Sequence, residues 1–409
     1  MTSKWIVCQL GARENYALAR GFARRSQLQL LITDTWLRRG IRIPRSVLAN
    51  RLAGRFHSEL VGERISHANI RSMLHEIGWR SPLGSKGWDQ ILQRNEWFSK
   101  FAASQLKKHL ATSDARPIVF SYAYTAKAVF EVAKRAGCRC VLGQIDPGLA
   151  HDVLVANAYK ANPHWKPRRQ VPSRYWVDWH SECLLADTIV VNSNWSRDSL
   201  IREGVKPGKI VVVPVAYESS STDPDLETFV GDDSEVKNTG GFCVLRPLRV
   251  LVIGRATLEK GIENVVAAAN LLRHKPLVFD VVGDHSNVPE EHRNIANINW
   301  HGNVPRNEVG KWYRNADLMV FPTLSDGFGI TQLEAQFHHL PIVVSKNCGD
   351  VVIENVNGRR LLSNSAEFLV ETLLDCLANP SLVSEWTANS YVREVFSIDQ
   401  VASRMCEMR

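Results

Sequence analysis

Short apolar runs punctuate this chain, and between them the apolar positions recur at helical spacing. Runs this short, rich in Val and Ile and bounded by turn residues, read as strands buried on both faces. In the first half they are Trp5–Gln9, Ile118–Ser121, Val141–Ile145, Thr188–Asn192 and Ile210–Pro214, with helical spacing over Asn95–His109 and Ala126–Arg135. In the second half they are Leu248–Ile253, Leu277–Val282, Ile298–His301, Leu318–Pro322 and Ile342–Ser345. Helices are predicted there over Ile262–Leu272, Arg306–Asn315, Ile330–Phe337 and Ala366–Ala378. This alternation predicts an α/β fold of two doubly wound, Rossmann-like parallel sheets.

The stretch ESSSTDPDLETFVGDDSEVKNTGG, from Glu218 to Gly241, breaks the pattern. It is acidic, rich in Ser, Thr and Gly, and reads as a linker. A chain of 409 residues exceeds what one core usually organises. The boundaries expected are an N-terminal domain over 1–217, a polar linker over 218–244, and a C-terminal domain over 245–390. The helix over 391–409 is expected to pack back on the N-terminal domain. Open parallel sheets bind ligands beyond the C-terminal ends of their strands, so two facing domains frame a cleft.

Composition narrows the class. Apolar residues make up 44% and charged residues 22%, ordinary globular values. No apolar run reaches the length of a membrane-spanning helix. The opening MTSKWIVCQLGAREN reads as a first strand rather than a signal peptide, because Arg13 and Glu14 follow the apolar run. The eight cysteines are scattered, with no CxxC and no paired Cys/His spacing. That argues against a disulfide framework or a zinc site and for a reducing cytoplasm.

The net charge is +8 and unevenly spread: Arg13 to Arg71 holds twelve arginines, no lysine and four acids. Such a face suits an anionic partner, such as membrane headgroups or a phosphate-bearing acceptor, and equally a solvated surface. Pro44–Phe56 is not a clean membrane-surface helix, since Arg55 shares a face with Leu48, Leu52 and Phe56. No aromatic-basic motif or recognition helix supports a nucleic-acid partner.

Two loops carry candidate chemistry. In VLVIGRATLEKGIENVVAAANLL a buried strand exits at Gly254, Arg255 and Lys260 follow, and Gly261 precedes a helix. Two cations beside a helix start form a receptor for a diphosphate. Taken alone, a βα loop with solvated basic residues reads the same. In DLMVFPTLSDGFGITQLEAQFHHLPIVVS a strand leads into Asp326-Gly327-Phe328-Gly329, and Glu334 lies about one turn into the next helix. Glycines let backbone approach a ligand, and carboxylates accept from sugar hydroxyls. The plainer reading has Asp326 capping the helix and Glu334 on the surface.

Taken together and in order, these elements resemble the group 1 family of retaining glycosyltransferases, whose two-domain architecture is called GT-B. Gly254-Arg255 and Lys260-Gly261 match the family's first element. Asp326 and Glu334, separated by seven residues, match its two-carboxylate element, with Asp326 in place of the usual glutamate. Gly283-Asp284, the loop His301-Gly302-Asn303-Val304, and Tyr313 to Asp317 fit the elements between. The resemblance covers residues 180–360.

It implies that Arg255 and Lys260 hold the diphosphate of a nucleotide-sugar donor, that Glu334 binds the ribose, and that Asp326 faces the transferred sugar. It also implies that Gly254, Gly327, Phe328, Gly329 and Val304 line the donor site. No divalent metal or other cofactor is required, since the two cations neutralise the leaving diphosphate. Asp223-Pro224-Asp225, the sole Asp-x-Asp spacing in the sequence, lies in the linker. The expected reaction moves a hexose, with retention, to a saccharide or lipid-linked saccharide, at the cytoplasmic or inner-membrane surface.

On the N-terminal side, Gly11 offers an amide toward donor or acceptor, or is a plain strand exit. Asp146 and His151 both follow the strand Val141–Ile145 near the expected reacting centre, and the choice between them stays open. Glu182 falls on a helix near the cleft in relatives. Trp165, Trp176, Trp179 and Trp195 are better read as core than as sugar platforms. The alternatives are an epimerase or phosphorylase of the same architecture, or a donor-binding protein without activity.

Overall fold

The computed structural model describes residues 3–37, 54–80, 85–112, 116–218 and 241–408. The linker Glu218–Gly241 lies outside the described residues except at its two ends, and so does most of Pro44–Phe56.

The N-terminal half folds around a parallel sheet of β1 (Trp5–Gln9), β2 (Leu28–Thr33), β3 (Ile65–His67), β4 (Ile118–Tyr122), β5 (Arg139–Gly143), β6 (Thr188–Val191) and β7 (Ile210–Val212), in the order β3-β2-β1-β4-β5-β6-β7. The C-terminal half folds around β8 (Leu248–Ile253), β9 (Leu277–Val282), β10 (Ile298–Gly302), β11 (Leu318–Phe321), β12 (Ile342–Val344) and β13 (Gly358–Arg360), in the order β10-β9-β8-β11-β12-β13. In each sheet the order reverses beside the first strand. Ligand crevices open at such switch points. These lie between β1 and β4 and between β8 and β11, so the motif-bearing loops after β8 and β11 share one crevice mouth.

The apolar runs form strands because helices cover both sheet faces. Val7, Ile6, Val250 and Leu251 are fully buried. Three strands were not expected. β2 is the apolar run LQLLIT, whereas β3 (ISH) and β13 (GRR) are three-residue edge strands without an apolar run. An edge strand is held by backbone pairing on one side, so its composition announces little.

The last helix, Ile398–Glu407, lies on Ala17–Arg24 of the N-terminal domain. A Cβ on Gly21 would come 2.7 Å from that of Ala402, so two small residues permit the close crossing. Ile398, Val401, Ala402 and Met405 join Trp5, Tyr16 and Phe22 in one core.

The expected basic face is partly consumed by structure. Arg20 pairs with Glu59 and Glu218, Arg24 with Glu59 and Asp399, and Arg55 with buried Asp34. Five of the twelve arginines (Arg38, Arg39, Arg42, Arg45 and Arg51) lie outside the described residues. Among the described residues, no helix is long and apolar enough to cross a membrane.

Candidate functional site: a glycine-zipped loop pair facing the N-terminal domain

The loop after β8 needs glycine at its exit. Gly254 takes φ +122°, Gly283 after β9 takes φ +138°, and a Cβ on Gly283 would sit 2.0 Å from the Gly254 carbonyl oxygen. Gly261 does the same toward the second loop: at φ +74°, its Cβ would meet the Pro322 carbonyl at 1.8 Å. Thr323 Oγ1 and the Leu324 N–H both donate to the Glu259 carbonyl, at 2.8 and 2.9 Å. The loops after β8 and β11 are thereby zipped along their length. Lys260 forms an ion pair with Asp326 and lies over the Phe321 ring, 5.7 Å from its centre. Arg255 is exposed on the same loop.

Asp326 is more committed than expected. One oxygen meets Lys260, and the other accepts the Phe328 N–H at 3.1 Å. In this state both its oxygens have protein partners, because a loop-borne carboxylate beside a free amide and an ammonium takes both. Phe328 is also not a free ligand contact. Its ring is buried with Val215, Leu333, Val351 and Phe396, where it anchors the loop.

Gly327 faces the N-terminal domain. A Cβ there would lie 2.4 Å from the Ile145 carbonyl oxygen and 3.1 Å from Asp146 Cα. Its carbonyl accepts from Ser193 Oγ at 2.8 Å and Ser196 Oγ at 3.3 Å. Trp195 Nε1 donates to Ser325 Oγ at 2.9 Å, and the Asn194 backbone and side-chain amides donate to Asp350. The start of helix Asn194–Arg202 thus latches onto the glycine loop. Gly329 takes φ +78°, where the Phe321 ring leaves no room for a side chain.

Beside this latch lies an interdomain cavity of about 500 Å³, a size suited to a small-molecule ligand. Glu334 lines it, together with Glu14, Asn15, Arg20, Tyr217, Arg306 and Tyr313. Glu334 Oε2 accepts from the Tyr313 hydroxyl at 2.7 Å. Burial, then the Glu334 charge, holds the Tyr313 hydroxyl well above its usual pKa, so it stays a donor. Ile253 and Ile330 line the cavity too. The chain runs from them into Gly254-Arg255 and back into Gly329. Arg255, Lys260, Asp326 and Val304 are not in the lining; they stand on the adjoining loops, and Val304 packs at the edge of a C-terminal core cluster.

The N-terminal wall corrects Gly11. Its N–H donates to Asp34 Oδ1 at 2.9 Å and is not turned to the cleft. Buried Asp34 also holds Arg55, and it satisfies the nearest amide first. What reaches the cavity is the next turn, through Glu14 and Asn15; these two and the buried Tyr16 all take positive φ, at 51°, 49° and 60°. Such strain in side-chain-bearing residues concentrates at functional sites. No residue type in Ala-Arg-Glu-Asn-Tyr announces it except Asn15, which tolerates the left-handed region. Tyr217 and Glu14 carried no site signal; Arg306 opened a predicted helix and Tyr313 stood in the Tyr-x-x-Ala-Asp stretch, both without an assigned role.

Asp146 Oδ1 accepts from Tyr124 Oη at 2.6 Å, Gln144 Nε2 at 3.0 Å and the Gly148 N–H at 2.9 Å. His151 Nε2 lies 3.7 Å from Glu259 Oε1, and its buried Nδ1 has no hydrogen-bond partner. Both residues face the C-terminal loops.

Glu182 is an internal cap. It is buried and accepts the N–H groups of Tyr124, Ala126 and Lys127 at the start of helix Lys127–Arg135. Burial pushes its carboxyl up to about 8 against the pull of those amides. The folded chain then holds a proton that the unfolded chain releases above about 4.5. Its contribution to stability is fully present below that value and is lost as pH rises through about 8. The melting temperature is expected to fall over that window, and Glu182→Gln to flatten the fall. An identical slope in the variant would refute the assignment.

The four tryptophans are packing residues. Trp165 lies in the C-terminal core, Trp179 donates to Gln144 Oε1 at 2.8 Å, Trp176 packs edge-on against Trp179, and Trp195 holds the latch.

Comparison with known proteins agrees with this geometry. Residues 245–393 match the family described as glycosyl transferases group 1. A D-inositol 3-phosphate glycosyltransferase of Xylanimonas cellulosilytica is 28% identical over 188 residues, 42% of this chain and 44% of that protein. Lipopolysaccharide glucosyltransferase WaaG of Escherichia coli is 30% identical over 145 residues, 34% of this chain and 38% of that one. The chain spans about half or less of the length of these curated relatives. Among solved structures, Anabaena Alr3699/HepE in complex with UDP superposes with a TM-score of 0.59 at 14% identity, covering 100% of this chain and 99% of that one. The crystal structure of WaaG gives 0.56 at 16% identity, covering 99% of this chain and 100% of that one. A two-domain GT-B architecture thus carries, over residues 245–393, the pattern of the group 1 glycosyl transferases.

Proposed function

We propose that the chain transfers a hexose from a nucleotide diphosphate sugar to a saccharide or lipid-linked saccharide, with retention and without a divalent metal in the chemistry. The observation that carries this reading is the loop pair at the β8/β11 switch point, where Lys260 and Arg255 stand beside a glycine loop latched to the N-terminal domain. The family match over residues 245–393 supports it, as do relatives named as glycosyltransferases and the structures of HepE with UDP and UDP-glucose.

In this mechanism Lys260 exchanges Asp326 for the donor diphosphate. The exchange frees an Asp326 oxygen for a sugar hydroxyl. As the glycosidic bond breaks, negative charge grows on the leaving phosphate. Cations already aimed there lower the barrier without reorganisation. The departing phosphate oxygen accepts the acceptor proton on the face it leaves, which preserves configuration. Glu334, oriented by Tyr313, accepts from the ribose hydroxyls. The strained turn at Glu14 to Tyr16 and the loop at Asp146 to His151 form the acceptor wall.

A thermal-shift screen of nucleotide diphosphate sugars is expected to raise the melting temperature with the correct donor. Free nucleotide diphosphate is then expected only when an acceptor is added; equal release without one would sink the transfer reading. Glu334→Gln is expected to weaken binding of the matching nucleotide diphosphate about tenfold by calorimetry. Unchanged affinity would remove Glu334 from the ribose site.

A further inference from the structure

Away from the cleft chemistry, the segment joining helix Leu149–Ala161 to helix Ser173–Leu185 crosses to the C-terminal domain. Trp165 on this strap inserts into the C-terminal core, and its Nε1 donates to Glu263 Oε2 at 2.8 Å. Glu263 stands in the first turn of helix Ile262–Leu271. Two histidines converge on it. His164 Nε2, on the strap, lies 3.8 Å from Oε1, and His292 Nε2 lies 3.3 Å from Oε2. One donor atom from each of the three residues lies within 4.8 Å of the others.

We propose that His164, Glu263 and His292 bind one divalent transition metal of the zinc type, which fastens the strap to the C-terminal domain. Tetrahedral zinc, with ligand bonds of about 2.0–2.2 Å, sets neighbouring ligand atoms about 3.3 Å apart. The two nearest histidine–carboxylate separations, one to each Glu263 oxygen, stand at 3.3 and 3.8 Å, and the exposed His164 ring, edge-on to His292 with centroids 5.4 Å apart, needs only a small shift to bring both imidazoles onto one ion. Two imidazoles and one carboxylate are a common zinc donor set that leaves a fourth position for water. A second observation points to a ligand: His292 Nε2 is buried and makes no hydrogen bond, although it faces a carboxylate oxygen. Buried polar atoms are rarely left unpaired. The Trp165 indole supplies the outer contact that orients a ligating carboxylate.

Among the described residues a second His/carboxylate cluster, His57, Glu59 and Glu218, differs in kind. Arg20 and Arg24 already neutralise its two acids. The proposed ion also stands apart from the transfer chemistry, because its ligands exclude Arg255, Lys260 and Asp326. The inference therefore survives failure of the donor reading.

The test titrates zinc chloride into the full chain, stripped of metal with a chelator, by calorimetry. Cobalt(II) serves as a second probe with a visible tetrahedral spectrum. One ion per chain is expected, with a rise in melting temperature. His164→Ala, whose exposed site puts no folding at stake, and His292→Gln are each expected to weaken binding at least tenfold and to abolish the cobalt spectrum. Wild-type chain that takes up no zinc would overturn the proposal. So would His164→Ala that melts like the stripped wild type and binds zinc with unchanged affinity, since the ion would then sit elsewhere, for instance on exposed Cys243.

Discussion

Lys260→Ala is expected to lower kcat by about 10²–10³-fold, ~2.7–4 kcal/mol of transition-state stabilisation, the range for removing one preorganised group aimed at developing charge. The expectation rests on where the ammonium is held. The zipped loops fix its backbone through Gly261 and the Glu259 carbonyl, and its ion-pair partner, Asp326, is a carboxylate it can exchange for phosphate. Donor affinity should change less than kcat, because charge on the leaving oxygen grows in the transition state. Arg255→Ala, at an exposed position, tests the second cation without disturbing a pair. Asp326→Asn should cost activity too, and Lys260→Ala with Asp326→Asn together should lose less than the sum, since the two act as a unit. The check is steady-state kinetics with the donor found by thermal shift. Wild-type kcat in Lys260→Ala would end the role assigned to it.

Gly327→Ala is expected to cut kcat/KM by about 10²-fold while leaving each domain folded. The added methyl would meet the Ile145 carbonyl oxygen at 2.4 Å, a backbone atom of the other domain that cannot swing aside. The chain's cheapest response is to part the latch, breaking the Ser193 and Ser196 bonds to the Gly327 carbonyl. A misplacement of about 1 Å between reacting groups is enough for a loss of that size. The melting temperature should move by only a few degrees, and small-angle scattering should report a larger radius of gyration. Full activity in Gly327→Ala would show that the latch is not the working arrangement.

Much of this was legible beforehand. Strand positions, the split into two α/β halves, and both C-terminal loops were readable because buried strands and amphipathic helices write local periods into the chain. The pairing of Lys260 with Asp326 joins residues 66 apart. The order of motifs placed both at the donor site, one toward the diphosphate and one toward the sugar, and did not announce their pairing.

Other features were beyond local reading. Phe328 looked like part of a ligand loop and became an anchor, because the latch offered its ring a buried home. Gly11 lost its amide to Asp34, 23 residues away, across neighbouring parallel strands. Glu182 caps a helix more than fifty residues earlier.

The amino-acid order alone determined where most strands, the predicted helices and the glycine exits fall, since those follow from side-chain period and backbone sterics within a few residues. Only the tertiary structure decided which loops meet. The cavity around Glu334, the strained turn at Glu14 and the convergence of His164 and His292 on Glu263 depend on sheet order and on how two domains dock. Those contacts join segments far apart in the chain, and nothing in either segment's own pattern encodes its partner.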